Sequence, residues 1–413
     1  MILAVYANVL TAILRYAVPG LSLWLFARCA REKGSLARSA KSLFLLTVLQ
    51  GLLALSYYLR NPEMTLLLGF AGIAACQWLL LFLYKLQKRN AFETEILCFF
   101  LSTFGMCAIA AVCPEEWDKQ LSALVLGVLF FLFLGWIVRD EKRIRVFCPV
   151  SAVTGAVLLL ITLFFGETYY GAKCWLRVGG VSIQPAEISK ICFLFAGATR
   201  EEDKGIFPFV IYAVAVCLCL VLMNDFGTAV IFFFAFLIIA FLRSGSVATV
   251  LLSLTGLALT GGGMLRLAPH AFSRFATWRH IWQASLTGGY QQTRALMCIA
   301  SGGLLGLGAG KGWMKNLFAA DSDMVIATVS EEWGLLTVTV LIFCVLAIAL
   351  RANRKNSIAV AAAAVLVFQT ALNTLGTVDI LPLTGVTFPF LSNGGTSMLC
   401  AWGLFALIQE GET

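Results

Sequence analysis

Apolar runs of near-spanning length dominate this sequence and limit what the chain can fold into. A bilayer crossing needs about 20 apolar residues, and thirteen candidate runs follow one another between residues 2 and 408. Because 60% of the residues are hydrophobic and only 13% are charged, little chain remains for a water-soluble domain. Unbroken apolar runs without ten-residue alternation favour helices over a barrel. The sequence therefore predicts an all-α polytopic membrane protein.

Two of the thirteen runs are weak candidates for a full crossing. Arg15 and Pro19 interrupt the first run, and the run 186–199 is short, which is typical of a tilted or partial crossing. The runs cover residues 2–27, 42–60, 64–85, 95–113, 120–138, 146–166, 186–199, 206–223, 226–242, 247–265, 325–350, 357–377 and 394–408.

Lys and Arg are concentrated in alternate connections, which orients the predicted helices. Short cytoplasmic loops are rich in these residues. The basic connections are 28–41, 85–89, 139–145, 200–204, Arg243 and 351–355. We therefore expect the N-terminus outside and the C-terminus in the cytoplasm.

Two long regions on the expected outer side, 167–190 and 266–323, contain basic residues where this rule predicts few. Long translocated loops tolerate any charge, so for 266–323 that explanation and a functional one both stay open. The functional explanation is a site for a lipid phosphate or pyrophosphate. The candidate substrate-binding cations are Lys173, Arg177, Lys190, Arg274, Arg279 and Arg294.

Four polar stretches interrupt the apolar background, and all of them fall on the expected outer side. They cover residues 171–190, 224–228, 289–334 and 381–397. We expect them to build one site. Within the third stretch, the glycines of 302–310 lack the Lys-Ser/Thr ending of a nucleotide-binding loop, which favours a flexible or closely packed helix.

These stretches resemble the motifs of the SEDS family (shape, elongation, division and sporulation), which includes RodA, FtsW and SpoVE. The family motifs with counterparts here, in the same order, are N-G-A-x-R-W-[IL]-x-[LV]-G…Q-P-[SA]-E-x-x-K, Q-P-D-x-G-T-A, G-Y-Q…G-S-G-G…G-x-G, H-T-D-F-I-F…G-E-E-[LW]-G and L-P-x-T-G…P-F-[IL]-S-Y-G-G-[ST]-S. The resemblance covers about 95–410, some ten helices. It predicts a SEDS-like domain at 93–413 with a large outer loop at 266–323, preceded by an extension of about three helices at 1–92.

The resemblance implies a peptidoglycan glycosyltransferase of the bacterial cytoplasmic membrane, active in elongation, division or sporulation. Its implied substrate is lipid II, the undecaprenyl-pyrophosphate-linked disaccharide peptide, and its implied partner is a class B penicillin-binding protein. The family's essential aspartate corresponds to Asp323. A precursor flippase and a non-catalytic scaffold for the penicillin-binding protein are the alternatives. Departures from the family motifs indicate a divergent branch; they are Asp321 for His, Asn393 for Tyr, Met223 and Asn224 for Gln-Pro, and Cys174 for Arg.

Glycosyl transfer from a pyrophosphate carrier needs a base for the attacking hydroxyl and positive charge at the leaving group. Asp323 is the candidate base, although capping of the following helix explains an aspartate there equally well, and Asp321 could either cap that helix or raise the pKa of Asp323. Glu187, a further candidate substrate-binding residue, is expected to pair with one of the cations. For Glu331 and Glu332 we expect structural ion pairs.

No metal site is predicted from the sequence. His270 and His280 have no Cys, Asp or Glu at ligand spacing beside them, and most of the 13 cysteines lie inside apolar runs. The cofactor stays open, with a divalent cation as one option. The expected partners are the membrane, lipid II and the penicillin-binding protein, and no nucleic acid is among them.

Overall fold

The computed structural model describes residues 2–31, 35–169, 171–197, 206–255 and 275–409, and most of these are helical. The helices are α1 (Ile2–Cys29), α2 (Leu36–Tyr58), α3 (Met64–Leu86), α4 (Glu93–Val112), α5 (Trp117–Val138), α6 (Glu141–Phe165), α7 (Pro185–Gly197), α8 (Phe207–Leu222), α9 (Phe226–Ser244), α10 (Tyr290–Gly302), α11 (Val325–Leu350), α12 (Ser357–Thr377) and α13 (Gly395–Gln409). Short 3-10 helices cover Pro114–Glu116 and Met314–Asn316.

Nine of the described helices are long and apolar enough to cross a bilayer: α1 to α6, α9, α11 and α12. The apolar helices α8 and α13 are shorter. Residues 247–255 are helical as well, whereas the rest of the predicted run 247–265 lies outside the described residues. The prediction of a polytopic helical membrane protein is therefore confirmed.

A small antiparallel sheet departs from the all-helical expectation. Its strands are β1 (Glu167–Tyr169), β2 (Ala172–Val178) and β3 (Val181–Ile183), with β2 in the middle. The chain then enters α7, whose described part ends at Gly197. Residues 198 and 199 lie outside the described residues, so the tilted or partial crossing expected for the run 186–199 stays a prediction.

Helix α4 lies at the centre of the molecule. Every residue from Glu93 to Ala110 is buried, and the helix packs against α1, α2, α5 and α11. A helix that is apolar all round is expected in such a position, since it has protein rather than lipid on every side. The neighbouring pair α5 and α13 packs around Trp402, whose ring lies 4.8 Å from that of Phe99 and 5.8 Å from that of Phe131.

Helices α1 to α3 share one buried apolar cluster with the rest of the bundle. Helix α2 is also joined to α4 by two buried hydrogen bonds, from Gln50 Nε2 to Thr103 Oγ1 (2.8 Å) and from Ser39 Oγ to Glu93 Oε1 (2.9 Å). The N-terminal helices are therefore packed into the bundle. The domain boundary at residues 92 and 93 stays a prediction.

Polar contacts show which helix ends lie together. The Arg351 guanidinium, just after α11, donates to the Cys29 carbonyl at the end of α1 and to Thr94 Oγ1 at the start of α4. Tyr84 OH, near the end of α3, donates to Glu95 Oε1 (2.6 Å). The basic connections 28–31, 85–89 and 351–355 therefore lie at one end of the bundle, which we call the basic end.

Candidate functional site

Asp323 lies in a half-buried position in the connection that leads into α11. Asn373 on α12 donates through Nδ2 to the main-chain oxygen of Asp323 (2.9 Å) and to that of Val386 (2.7 Å). Ser392 Oγ donates to the adjacent carbonyl of Ser322 (2.6 Å). The backbone around Asp323 is thus fixed by α12 and by the fourth polar stretch.

The N-cap position considered for Asp323 and Asp321 is taken by Met324. Helix α11 begins at Val325, and the Met324 side chain makes no cap hydrogen bond. The turn before the helix supplies a main-chain acceptor, since Ala327 N donates to the Met324 carbonyl (2.9 Å).

Asp321 and Asn393, two residues that depart from the family motifs, contact each other. Asn393 Nδ2 donates to Asp321 Oδ2 (2.6 Å) and to Glu116 Oε2 (2.9 Å), and Asn393 N donates to the Asp321 carbonyl (2.8 Å). The Cys113 thiol donates to the same Asp321 oxygen (3.2 Å). Burial, followed by the Asp321 charge, raises the pKa of Cys113, so the thiol stays a proton donor.

The sheet presents two of the predicted cations. Lys173 N donates to the Met223 carbonyl (2.8 Å), and its Nζ donates to the Phe164 carbonyl (3.0 Å). Arg177 is exposed and lies 3.7 Å from Glu167 Oε2, while its Nη2 donates to Tyr169 OH (2.6 Å). Both side chains are anchored within the sheet region.

Cys174 lies on β2 and is buried. Burial, with smaller contributions from the charges of Asp225 and Asp323, raises the pKa of its thiol to about 12. Asp225 caps α9 by accepting from Thr228 N (3.1 Å).

Glu187 and Lys190 form the ion pair expected of Glu187, at 2.9 Å. The pair is buried, with side chains 8% and 3% exposed. Lys190 Nζ also donates to Gln369 Oε1 (2.8 Å), and Gln369 Nε2 donates to the Thr387 carbonyl (3.0 Å). This chain of contacts connects the first polar stretch with α12 and the fourth stretch.

The glycine-rich stretch is not the helix that the sequence favoured, because α10 ends at Gly302. The following residues run as a loop along a kink in α11 at Gly334 (φ 85°), and Leu307 N donates to the Glu331 carbonyl (2.8 Å). At Gly306 (φ 83°), a β-carbon would lie 2.2 Å from the Glu332 carbonyl oxygen. Close approach of two backbones explains the glycines.

The ion pairs expected for Glu331 and Glu332 are absent among the described residues. Glu331 Oε2 instead accepts from Met314 N (2.8 Å), and Glu332 Oε2 accepts from Tyr57 OH (2.5 Å). Hydrogen-bond donors replace cations because the loop and α2 place N–H and O–H groups directly against these carboxyls.

Arg294 and Glu331 line a cavity of about 270 Å³ beside α10, together with Met297, Cys298, Ser301 and Trp313. The Arg294 guanidinium lies over the Tyr290 ring at 4.6 Å and donates to the Ser285 carbonyl (3.3 Å). The lining residues of this cavity do not include Cys174, Asp225 or Asp323.

Arg279 lies near the fourth polar stretch. Its main-chain N–H donates to Asp379 Oδ1 (3.2 Å), and its guanidinium stacks on Trp278 at 5.1 Å. Arg274 lies outside the described residues. The structure therefore brings the four polar stretches together, but it distributes the predicted cations over the sheet, the buried pair, the cavity and this corner.

Asn373 and Gln369 were missed from the sequence, although a signal was present. Both are amides in an otherwise apolar run, four residues apart, which places them on one face of α12. Polar side chains inside a membrane segment usually face the protein interior. Among the described residues, no group of three or more His, Cys, Asp or Glu is arranged to hold a metal ion.

The fold and the site together define a polytopic membrane protein whose polar connecting segments meet at one end of the bundle. The chain belongs to the FtsW/RodA/SpoVE family of cell cycle proteins, whose family model matches residues 96–412.

Individual relatives agree with this assignment. The peptidoglycan glycosyltransferase RodA of Mycobacterium leprae is 29% identical over 325 residues, which cover 71% of this chain and 69% of that protein. FtsW of Borreliella burgdorferi is 31% identical over 312 residues, 70% of this chain and 85% of that protein.

Two solved structures share the fold. A chain from a peptidoglycan synthase complex, in which polymerization and crosslinking are structurally coordinated, aligns with a TM-score of 0.64 at 23% identity and covers 77% of this chain and 96% of that chain. RodA of Thermus thermophilus aligns with a TM-score of 0.54 at 22% identity, covering 78% and 95%.

Proposed function

We propose that this chain is a peptidoglycan glycosyltransferase that polymerises lipid II. The related RodA of Mycobacterium leprae is named a peptidoglycan glycosyltransferase. The observation that carries the proposal is the placement of Asp323, which is half-buried just before α11 and whose backbone is held by Asn373. Its charge contributes to the raised pKa of Cys174, the neighbour of Lys173 on β2.

In this proposal Asp323 is the general base. It takes the proton of the acceptor sugar hydroxyl while that oxygen bonds to the anomeric carbon of the donor. The bond from that carbon to the pyrophosphate oxygen breaks, and the lipid pyrophosphate leaves with the electron pair. Fixed cations stabilise the charge that develops on it; Lys173, Arg177, Arg274, Arg279 and Arg294 are the candidates, with Glu187 and Lys190 supporting the substrate site.

We further propose that the site faces the outside of the bacterial cytoplasmic membrane, with the N-terminus outside and the C-terminus in the cytoplasm. The Lys/Arg distribution supports this orientation. A class B penicillin-binding protein is the proposed partner, since one structural relative comes from a complex that coordinates polymerization with crosslinking.

The test is Asp323→Asn, assayed by the formation of glycan strands from lipid II with purified protein. An amide cannot take the proton, so we expect a loss of about 10²- to 10⁴-fold in rate. The matched control is Asp321→Asn, two residues away, which should keep far more activity because Asp321 serves the contact with Asn393.

Normal strand synthesis by Asp323→Asn would remove Asp323 as the base. Wild-type protein that binds lipid II but makes no strands, with or without a penicillin-binding protein, would instead favour the precursor flippase or the scaffold. Both proteins in each comparison are used at equal folded amounts.

A further inference from the structure

A second cavity, of about 230 Å³, lies at the basic end of the bundle between α3, α5 and α13. Residues near the end of α5, between Phe131 and Arg139, line the cavity. Gln120, near the start of α5, instead donates to the Ser392 carbonyl beside the candidate site. At 1.5 Å per residue, the intervening stretch of helix separates the two places by roughly 20 Å. This cavity is therefore distinct from the glycosyltransferase site.

The lining of the cavity is amphipathic. Its walls are mostly apolar, and Arg89 and Arg139 stand among its polar residues; the apolar members are Leu83, Phe131, Leu132, Gly135 and Ala406. The Arg89 guanidinium lies over the Tyr84 ring, 4.6 Å from its centre. Within the described part of the chain, the Arg89 side chain donates no hydrogen bond. Stacking uses its flat face and leaves the N–H edge for a phosphate.

The surrounding charge is strongly positive. The connections 85–89 and 139–145 contain seven basic residues, Lys85, Lys88, Arg89, Arg139, Lys142, Arg143 and Arg145, against two acidic ones, Asp140 and Glu141. Asp140 pairs with Arg143 at 3.4 Å. The buried carboxylate nearby, Glu95, accepts hydrogen bonds from Tyr84 OH and Gln409 Nε2.

The position of the cavity favours a lipid over a soluble anion. Trp136, which lines it, is 55% exposed, and Leu86 and Phe82 on the adjoining face of α3 are 64% and 55% exposed. Such apolar side chains on a membrane helix face acyl chains. The cavity therefore borders this exposed apolar surface. The Arg143 guanidinium lies over the Trp136 ring at 4.0 Å.

We propose that this cavity binds the phosphate headgroup of an anionic phospholipid in the leaflet at the basic end. Arg89 and Arg139 contact the phosphate, and Leu83, Leu132 and Trp136 contact the first part of the acyl chains. Basic pockets between transmembrane helices hold lipid phosphates in this way. A bound headgroup joins the ends of α3, α5 and α13, so its effect is on the packing of the basic end.

The experiment measures lipid retention by native mass spectrometry of the full chain after mixing with phosphatidylglycerol or phosphatidylcholine of identical acyl chains. We expect one phosphatidylglycerol to be retained in preference to phosphatidylcholine. Arg89→Gln combined with Arg139→Gln should reduce this retention roughly thirty-fold, since each basic side chain near a charged lipid surface contributes a factor of about five.

The matched control is Arg354→Gln combined with Lys355→Gln, which removes two exposed charges from the same end outside the cavity. The double variant Arg89→Lys and Arg139→Lys keeps the charge and should retain an intermediate amount, which separates headgroup binding from misfolding. Equal retention of both lipids, or equal loss in the control, would overturn the proposal. Displacement of the lipid by millimolar inorganic phosphate would show that the cavity takes a soluble anion instead.

Discussion

At the scale of single residues, the contact between Asp321 and Asn393 accounts for two departures from the family motifs at once. The residues are 72 positions apart, yet Asn393 Nδ2 lies 2.6 Å from Asp321 Oδ2. One amide N–H₂ group has two hydrogens, and its second acceptor is Glu116. The pair therefore fixes the segment before Asp323 to the start of α5.

This contact predicts coupling between the two positions. Asp321→His or Asn393→Tyr alone should impair strand synthesis and lower the melting temperature, since each leaves a partly buried polar group without its partner, at a cost of about 1–3 kcal/mol. The double variant restores the family residues at both positions and should be milder than the sum of the singles. Strictly additive losses in both measurements would show that the contact carries no coupling.

The buried pair Glu187–Lys190 leads to a second prediction. Lys190→Met alone leaves the Glu187 charge buried without a cation, which destabilises a protein by about 3–5 kcal/mol, whereas Glu187→Gln combined with Lys190→Met should be nearly neutral. Thermal unfolding in detergent measures the stability of the single and the double variant. If the double variant is stable but makes no glycan strands, the pair serves the substrate. Full activity of the stable double variant would contradict the predicted substrate-binding role.

At the scale of elements, the family domain relies on a helix outside the matched residues 96–412. Tyr57 near the end of α2 donates to Glu332 on α11, 275 residues away, and Trp333 Nε1 lies 3.3 Å from the same hydroxyl. The loop after α10 runs along this part of α11. Helix α2 therefore helps to hold the kinked segment of α11.

We accordingly expect Tyr57→Phe to destabilise the protein by about 1–3 kcal/mol, because a buried carboxyl loses a hydrogen-bond donor. The measurement is the melting temperature of the purified chain. Tyr58→Phe, at the less buried neighbouring position, is the control and should have little effect. A Tyr57→Phe protein as stable as the control would mean that α2 contributes packing alone.

At the scale of the whole molecule, the bundle has two chemically different ends. One end carries the described basic connections 28–31, 85–89 and 351–355 and the cavity lined by Arg89 and Arg139, and the other carries the four polar stretches. The contacts of Arg351 with Cys29 and Thr94 place three helix termini at the basic end. If the basic end faces the cytoplasm, as proposed, the four polar stretches face the outside.

A topology reporter tests that orientation. Fusions after Lys88 or Arg354 should report the cytoplasm, and a fusion within 280–290 should report the outside, because Lys and Arg are retained on the cytoplasmic side. An outside signal at Lys88 with a cytoplasmic signal at Arg354 would show that the number of crossings in between is wrong.

The sequence alone determined the helical membrane class and the family-like polar stretches. These follow from local quantities, since the transfer of a segment into lipid depends on its own composition and length. The sequence failed on the N-cap residue of α11, the helix expected at 302–310 and the ion pairs of Glu331 and Glu332.

Only the tertiary structure decided those points, because each depends on a partner distant in the chain. Asn393 contacts Asp321, 72 residues away, and Tyr57 contacts Glu332, 275 residues away. The loop after α10 packs against the kink of α11, and no local sequence pattern predicts that contact. Hydrogen-bonding groups in a bilayer must find partners inside the protein, and the packing of the helices selects which partner each one finds.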